Sequence, residues 1–526
     1  MAYCDSLNAA DQILGPTLDA GRGGDIALLY GDEAISFAQL NERVNRFGNA
    51  LKPRLGKDDR VLLLLKDSPD LVAAYLGVMR IGAVTVALST RSTASDLAFA
   101  IKDSACRAIL LDDEFLPVYE QAILKLGREP ELTAIRGQAP AGRISFEALL
   151  KGAGTELPSA KVTQDDMAFW LYTSGTTGTP KAAIHCHGDV VVADYYMKEF
   201  GFGPGERVFS SSKLFFAFAL GHVLIGGLRS GTTAILCDLW PDSQVIASMV
   251  ERYRPTIMLS VPTFYRNLIR DGHSTAPGFK GVHSYLSAGE ALPESLYAAW
   301  KADTGVGIAE GIGATETAFM VISGTPACHK AGATGKPMPF AQVKLLDEAE
   351  RPITQPNHPG ILWAKMGSLC RGYWNQPDKT ALAFKEGWFR TGDMFQFDEE
   401  GWWSHLGRAD DLLKISGQWV SPLEIEECAL KVPGILEAAA VGVKNSEGLV
   451  RLALFLVAEQ GGSEVLEEAV RQAILSALSP YKCPRAFIFV DHVPRTATGK
   501  IQRFLLRKLG DEMQAESGLV EGSRRV

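Results

Sequence analysis

The chain has 526 residues, 46% of them hydrophobic and 22% charged, with a formal net charge of −8. That length exceeds one ordinary core, so several domains are expected, and the mild acidity argues against a dedicated nucleic-acid surface. No run of about 20 apolar residues predicts a membrane span, residues 1–19 lack the basic-then-apolar pattern of a secretion signal, and eight scattered cysteines without a CxxC pair predict free thiols in a reducing cytoplasm.

Amphipathic helical patterns at 37–52, 69–81 and 94–103 alternate with β-rich runs at 60–65, 83–88 and 108–111. Such alternation predicts an α/β architecture of doubly wound, parallel sheets. Residues 151–165 read as a Gly/Ser/Pro connector. The apolar run 167–171 then empties into Tyr172-Thr173-Ser174-Gly175-Thr176-Thr177-Gly178-Thr179-Pro180-Lys181. Glycines 175 and 178 let backbone amides approach an anion closely. Hydroxyls of Thr173, Ser174, Thr176 and Thr177 and the cation of Lys181 add donors suited to phosphate. The spacing is not a Walker loop, because Ala182 rather than Ser or Thr follows the lysine.

A second alternating stretch runs from 188 to about 286. Beyond Gly335, short strands (342–346, 360–364) and Gly/Pro turns predict a small β-barrel-like subdomain. A break at Gly407-Arg408-Ala409-Asp410-Asp411 precedes strands at 438–443, 452–457 and 486–490 and a helix at 465–478, enough for a small independent α+β domain. The reading is therefore a large domain over 1–409 and a small one over 410–526, with a frayed end at 511–526.

Four further motifs carry chemistry. Glu310-Gly311-Ile312-Gly313-Ala314-Thr315-Glu316 pairs glycines with a carboxylate able to hold Mg²⁺ beside phosphates. Gly387-Trp388-Phe389-Arg390-Thr391-Gly392-Asp393 ends on an acid that can accept both hydroxyls of a ribose. Lys414-Ile415-Ser416-Gly417-Gln418-Trp419 follows the break. Pro494-Arg495-Thr496-Ala497-Thr498-Gly499-Lys500 lies near the C-terminus.

Taken with 172–181, these segments resemble, in order, the motifs of the adenylate-forming enzymes: acyl-CoA synthetases, luciferases and peptide-synthetase adenylation domains. The resemblance implies that Thr173–Gly178, Lys181, Glu310, Gly311, Ile312, Asp393 and Arg408 bind ATP. It places Thr315 at the α-phosphate, makes Glu316 the Mg²⁺ ligand and makes Lys500 the catalytic lysine. A positioned ammonium there would stabilise the charge that develops as a carboxylate attacks the α-phosphate. Asp410 matches the hinge. Lys414, Ser416, Gly417 and Trp419 match the segment that enters the site for thioester formation, with Gly417 leaving room for the pantetheine arm. By analogy with similar ligases, Lys500 is also expected to be acetylated, with an acetyltransferase and a deacetylase as partners.

Lys213–Gly221 (KLFFAFALG), Ser287–Pro293 (SAGEALP) and 412–417 resemble, within that family, the benzoate–CoA ligase-like enzymes. Phe218, Ala219, His222, Ala288, Gly289 and Gly313 would then wall an acyl pocket suited to a flat ring. Phe218-Ala219 stands where benzoate enzymes often have tyrosine and glycine. That exchange opens the pocket to substituted benzoates, arylacrylic acids or alicyclic acids. The implied substrates are ATP, CoA and a carboxylic acid, in a monomer or homodimer. A stand-alone enzyme loading a carrier protein is the alternative.

Overall fold

In the computed structural model, residues 6–173, 180–409, 411, 413–415, 418–444, 450–495, 501–517 and 524–525 are described. The chain divides into two compact units. The first comprises 1–292, 296–343 and 364–390; the second comprises 293–295, 344–363 and 391–526. The expected boundary at 409/410 falls inside the second unit.

One sheet of the first unit has seven strands, in the order Ile144–Ser145, Leu132–Arg136, Ala108–Asp112, Arg60–Leu64, Val84–Ala87, Met167–Thr173 and Lys181–Cys186. Neighbours are parallel except the last pair. Val61–Leu64 and Ala108–Asp112 are buried at every position, as strands covered on both faces must be. The expected helices form at Phe37–Leu51, Pro69–Arg80 and Ala94–Ser104. Their starts are written locally: Ser36 and Gln39 make a capping box, Ser68 caps ahead of Pro69, and Thr93 pairs with Asp96.

The second sheet has nine strands, with a parallel centre of Thr233–Ile235, Arg207–Ser210, Ile257–Ser260, Ser284–Ser287 and Ile308–Gly313. Met320–Ser323 closes back antiparallel on Ile308–Gly313. The carboxyl ends of Ile257–Ser260, Ser284–Ser287 and Ile308–Gly313 lie side by side, with Ser260 opposite Ser287 and Ser287 opposite Glu310. Ligands of open α/β sheets bind at such ends.

The expected β subdomain is a six-stranded sheet in which Trp388–Phe397 pairs with Gly360–Lys365, Phe384–Lys385 and Trp403–Arg408. In the second unit the C-terminal region forms a further sheet of Ile435–Lys444, Val450–Ala458, Ala486–Phe489 and Arg524–Arg525. One apolar cluster gathers Ile425, Leu454, Val470 and Phe487; a second gathers Val441, Phe455, Ile488 and Leu506. The helix Arg503–Ser517 extends into the stretch expected to fray. Buried Leu506 anchors it, and Gly510 lies so close to Val443 that a Cβ would come within 2.4 Å. Among the described residues no helix is long and apolar enough to cross a membrane.

Candidate active site

Thr173 and Lys181 face one another across the antiparallel pair Met167–Thr173 and Lys181–Cys186. The residues that flank segment 174–179 are therefore held side by side. Ser174, Gly175, Thr176, Thr177 and Gly178 lie outside the described residues.

Glu310, the last residue of its strand to pair with Ser284–Ser287, is buried and accepts a hydrogen bond from Thr334 Oγ1 at 3.3 Å. The glycines beyond it have a reason of their own. A Cβ on Gly311 would sit 2.0 Å from Met320 Sδ, and one on Gly313 would sit 2.5 Å from the Phe319 carbonyl oxygen. At Gly313, where the clash is with backbone, the close antiparallel return of Met320–Ser323 requires glycine independently of any ligand; at Gly311 the nearest atoms belong to the side chains of Met320 and Ser323. Ile312 lies between them, only half-buried.

The Ala314–Ala318 turn follows, closed by Ala314 N–H donating to Thr317 Oγ1 at 2.9 Å and by the left-handed Ala318, φ 58°. Glu316 is 7% exposed. Its Oε1 accepts from the Tyr373 hydroxyl at 2.5 Å and lies 3.9 Å from Lys181 Nζ. Lys181 in turn sits 4.0 Å over the Tyr373 ring, an attractive placement for an ammonium.

The backbone of this turn is gripped as well. Cys370 N–H donates to the Glu316 carbonyl at 2.8 Å, Ser368 Oγ donates to the Thr317 carbonyl at 2.6 Å, and His185 Nε2 lies 2.9 Å from the Thr315 carbonyl. Segment 368–374 reaches the turn because it pairs with Lys181–Cys186: Arg371 N donates to Ile184 O, Ile184 N to Gly372 O and Trp374 N to Ala182 O. His185, Ser368, Cys370 and Tyr373 were missed in the sequence. Each acts through tertiary pairing, not through a local motif.

The expected acyl-pocket residues fall into two places. Phe218 is the middle residue of the short helix Ala217–Ala219, which runs into eight residues of π-helix, Leu220–Gly227. Rare π segments concentrate at functional sites. His222 on that segment is 1% exposed, and its Nδ1 lies 2.7 Å from the Phe218 carbonyl. Burial pushes His222 down to about 4, so the ring is neutral at pH 7 and Nδ1 carries the proton it donates. Its ring centroid lies 5.1 Å from Phe218 and 6.2 Å from Phe319. Through Phe319, this group adjoins Gly313. Ala219 is fully buried in the same helix. Ala288 and Gly289 (φ 88°) follow the strand end at Ser287. At the head of the 213–222 segment, Leu214 N–H donates to both oxygens of Asp67 at 3.2 and 3.3 Å. Burial raises that carboxyl to about 6, against the lowering influence of Lys213.

In the second unit, Asp393 and Arg408 are cross-strand partners. Arg408 NH1 lies 3.1 Å from both carboxylate oxygens, and His405 Nε2 lies 3.4 Å from Oδ1. Such a carboxylate is fixed, yet keeps acceptor capacity for further donors. Lys414 and Trp419 are opposed in the two-stranded ladder Leu413–Ile415 and Gln418–Val420. Asp410, Ser416, Gly417 and Lys500 lie outside the described residues.

Residues 19–374 match the AMP-binding enzyme family, and residues 424–500 match the AMP-binding enzyme C-terminal domain. A 3-hydroxybenzoate–CoA/4-hydroxybenzoate–CoA ligase of Thauera aromatica is 47% identical over 509 residues, which cover 96% of this chain and 97% of that protein. A benzoate–CoA ligase of the same organism is 38% identical, covering 96% of each. The solved structure of an anthranilate–CoA ligase with anthranoyl-AMP superimposes with a TM-score of 0.90 at 31% identity, covering 98% of this chain and all of that one. Over nearly its whole length, therefore, the chain belongs to the AMP-binding enzymes, the adenylate-forming superfamily.

Proposed function

We propose that this enzyme is an AMP-forming aryl acid:CoA ligase acting on hydroxybenzoate-type acids. The observation that carries the reading is the end-to-end similarity to a hydroxybenzoate–CoA ligase, 47% against 38% for a benzoate–CoA ligase. The missing tyrosine-glycine pair at Phe218-Ala219 agrees with a substrate other than plain benzoate.

In the first half-reaction the acid's carboxylate attacks the α-phosphorus of ATP, and pyrophosphate leaves. In the second, the CoA thiol attacks the acyl carbon of the mixed anhydride, and AMP leaves. The 173–178 loop and Lys181 cradle the phosphates, the Thr315 hydroxyl donates to the α-phosphate, and Glu310–Ile312 packs against adenine. Asp393, fixed by Arg408, accepts the ribose hydroxyls. Lys500 stabilises the developing charge. Rotation of 410–526 about Asp410 then brings 414–419 in place of Lys500.

Magnesium fits the first unit: Mg²⁺ is held through one or two carboxylates plus substrate phosphates, and Glu316 is a buried carboxylate on the turn beside Lys181. When bound it would supply charge neutralisation of the phosphates; Tyr373 and Lys181 orient the carboxylate for it.

The test is acid-dependent AMP formation from MgATP, with and without CoA. The acids would be 3- and 4-hydroxybenzoate, benzoate, anthranilate, cinnamate and cyclohexanecarboxylate. Hydroxybenzoate turnover that requires CoA is expected. Adenylation with no CoA turnover would move the reading to a carrier-loading enzyme.

A further inference from the structure

The Thr315–Glu316 turn is held from the strand Lys181–Cys186 by a buried pair with no assigned role. His185 Nδ1 lies 2.9 Å from Asp189 Oδ2 and Nε2 lies 2.9 Å from the Thr315 carbonyl oxygen. The side chains are 0% and 2% exposed. The imidazole is stacked on Phe169, with centroids 4.8 Å apart and planes within 8°, and Phe169 is its cross-strand partner. Asp189 Oδ2 also accepts from Cys186 N–H at 3.1 Å.

Both ring nitrogens face acceptors. Nε2 must carry a proton to bond a carbonyl, Nδ1 faces the Asp189 carboxylate, and rotating the ring would orphan two buried hydrogen bonds. The ring is thereby fixed in its plane by the stack and about its axis by Asp189.

The carbonyl it holds belongs to the peptide that joins Thr315 to Glu316. Fixing that peptide fixes the direction in which both side chains leave the backbone. On the same strand, four residues earlier and so on the same face, Lys181 approaches the Glu316 carboxylate at 3.9 Å. One strand thus registers the two successive residues, one through backbone and one through charge. Charged and polar burial of this kind is costly for mere stability. Ser368 shows that a single hydroxyl suffices to hold another carbonyl of the same turn, that of Thr317.

We propose that His185, aligned by Asp189, is a positioning residue for adenylate formation, which sets the aim of the Thr315 hydroxyl and the Glu316 carboxylate. The proposal rests on the reading above that Thr315 and Glu316 serve the α-phosphate and Mg²⁺. Misplacement of reacting groups by a fraction of an ångström is felt in rate more than in fold.

The test compares His185→Phe, which keeps the stack but neither hydrogen bond, with His185→Gln, whose amide can still donate to Thr315, and with Asp189→Asn. Three readouts are needed: calorimetric Mg²⁺ dependence of binding a non-hydrolysable ATP analogue, acid-dependent ATP–pyrophosphate exchange, and thioester formation from supplied acyl-adenylate. For His185→Phe we expect exchange kcat down about 30-fold, half-saturating Mg²⁺ raised severalfold and thioester formation within about twofold of wild type. His185→Gln should recover part of the loss. Unchanged exchange and Mg²⁺ dependence would overturn the proposal, as would equal losses in both half-reactions. Should His185→Phe fail to fold, Asp189→Asn and His185→Gln carry the same comparison. If the wild-type enzyme turns over no aryl acid, the substrate reading fails, while the calorimetric arm still decides the role of His185.

Discussion

The hydroxyl of Tyr373 donates to Glu316 Oε1 at 2.5 Å while its ring lies under Lys181 Nζ. One aromatic side chain therefore contacts both members of the Lys181–Glu316 pair. A hydrogen bond to a buried carboxylate is worth about 1.5–3 kcal/mol, so Tyr373→Phe should lower adenylation kcat/KM by roughly 10- to 100-fold. The cation–ring contact and the packing against Phe384 persist in that variant. Pyrophosphate exchange with Tyr373→Phe and Glu316→Ala checks the assignment: the alanine variant should be the worse of the two, and the double variant no worse than Glu316→Ala alone.

Much of this architecture is legible in the sequence because its signals are local. Capping residues Ser36, Ser68 and Thr93 stand where the helices begin, and the 309–316 motif marks a strand end by its glycines. The grip on the turn is not legible, since His185 reaches Thr315 across 130 residues and Tyr373 reaches Glu316 across 57. A histidine in a strand advertises no partner until the pairing is known. The π-helix at 220–227 was equally hidden: it is buried all round, and an apolar run without a polar face has no period to read. The packing reason for Gly313 was hidden too, because it lies in the backbone of Phe319 and Met320 on the returning strand.

Gly313 offers a test of that packing. Its Cβ direction meets the Phe319 carbonyl oxygen at 2.5 Å and Met320 Cα at 3.0 Å, both of them backbone, so no side chain can rotate away. Gly313→Ala should cost about 1–3 kcal/mol, seen as a lower Tm, and should raise the acid's KM through displacement of Phe319 beside His222. An unchanged Tm would mean that the Met320–Ser323 strand yields freely.

Lys500 is proposed to act in the first half-reaction alone. Lys500→Ala should depress acid-dependent pyrophosphate exchange by about 10²-fold or more and leave thioester formation from supplied acyl-adenylate nearly intact. Acetylation removes the same charge, so enzyme modified at Lys500 should behave like the alanine variant in both assays and regain exchange on deacetylation. Parallel loss of both half-reactions would remove this division of labour.

Two buried histidines make stability depend on pH in the acid range. His187 Nδ1 accepts from Ala9 N–H at 2.9 Å and His222 Nδ1 donates to Phe218; burial pushes each down to about 4. In the unfolded chain both titrate near 6.5. Between pH 6.5 and 4 the unfolded state therefore binds more protons than the native one, and stability must rise with pH across that window. The contribution is complete above pH 6.5 and is lost as pH falls toward 4, by an order of 3 kcal/mol for each ring at the limit. Replacing His222 by glutamine keeps a donor for the Phe218 carbonyl and removes one titration. The Tm of His222→Gln, followed by calorimetry from pH 7 to pH 4.5, should fall with a visibly shallower slope than that of the wild-type enzyme, and the two curves should differ least in slope above pH 6.5. Parallel curves throughout would mean that His222 is hydrated and titrates normally in the folded enzyme, and the neutral, donor-fixed ring beside Phe218 would have to be abandoned.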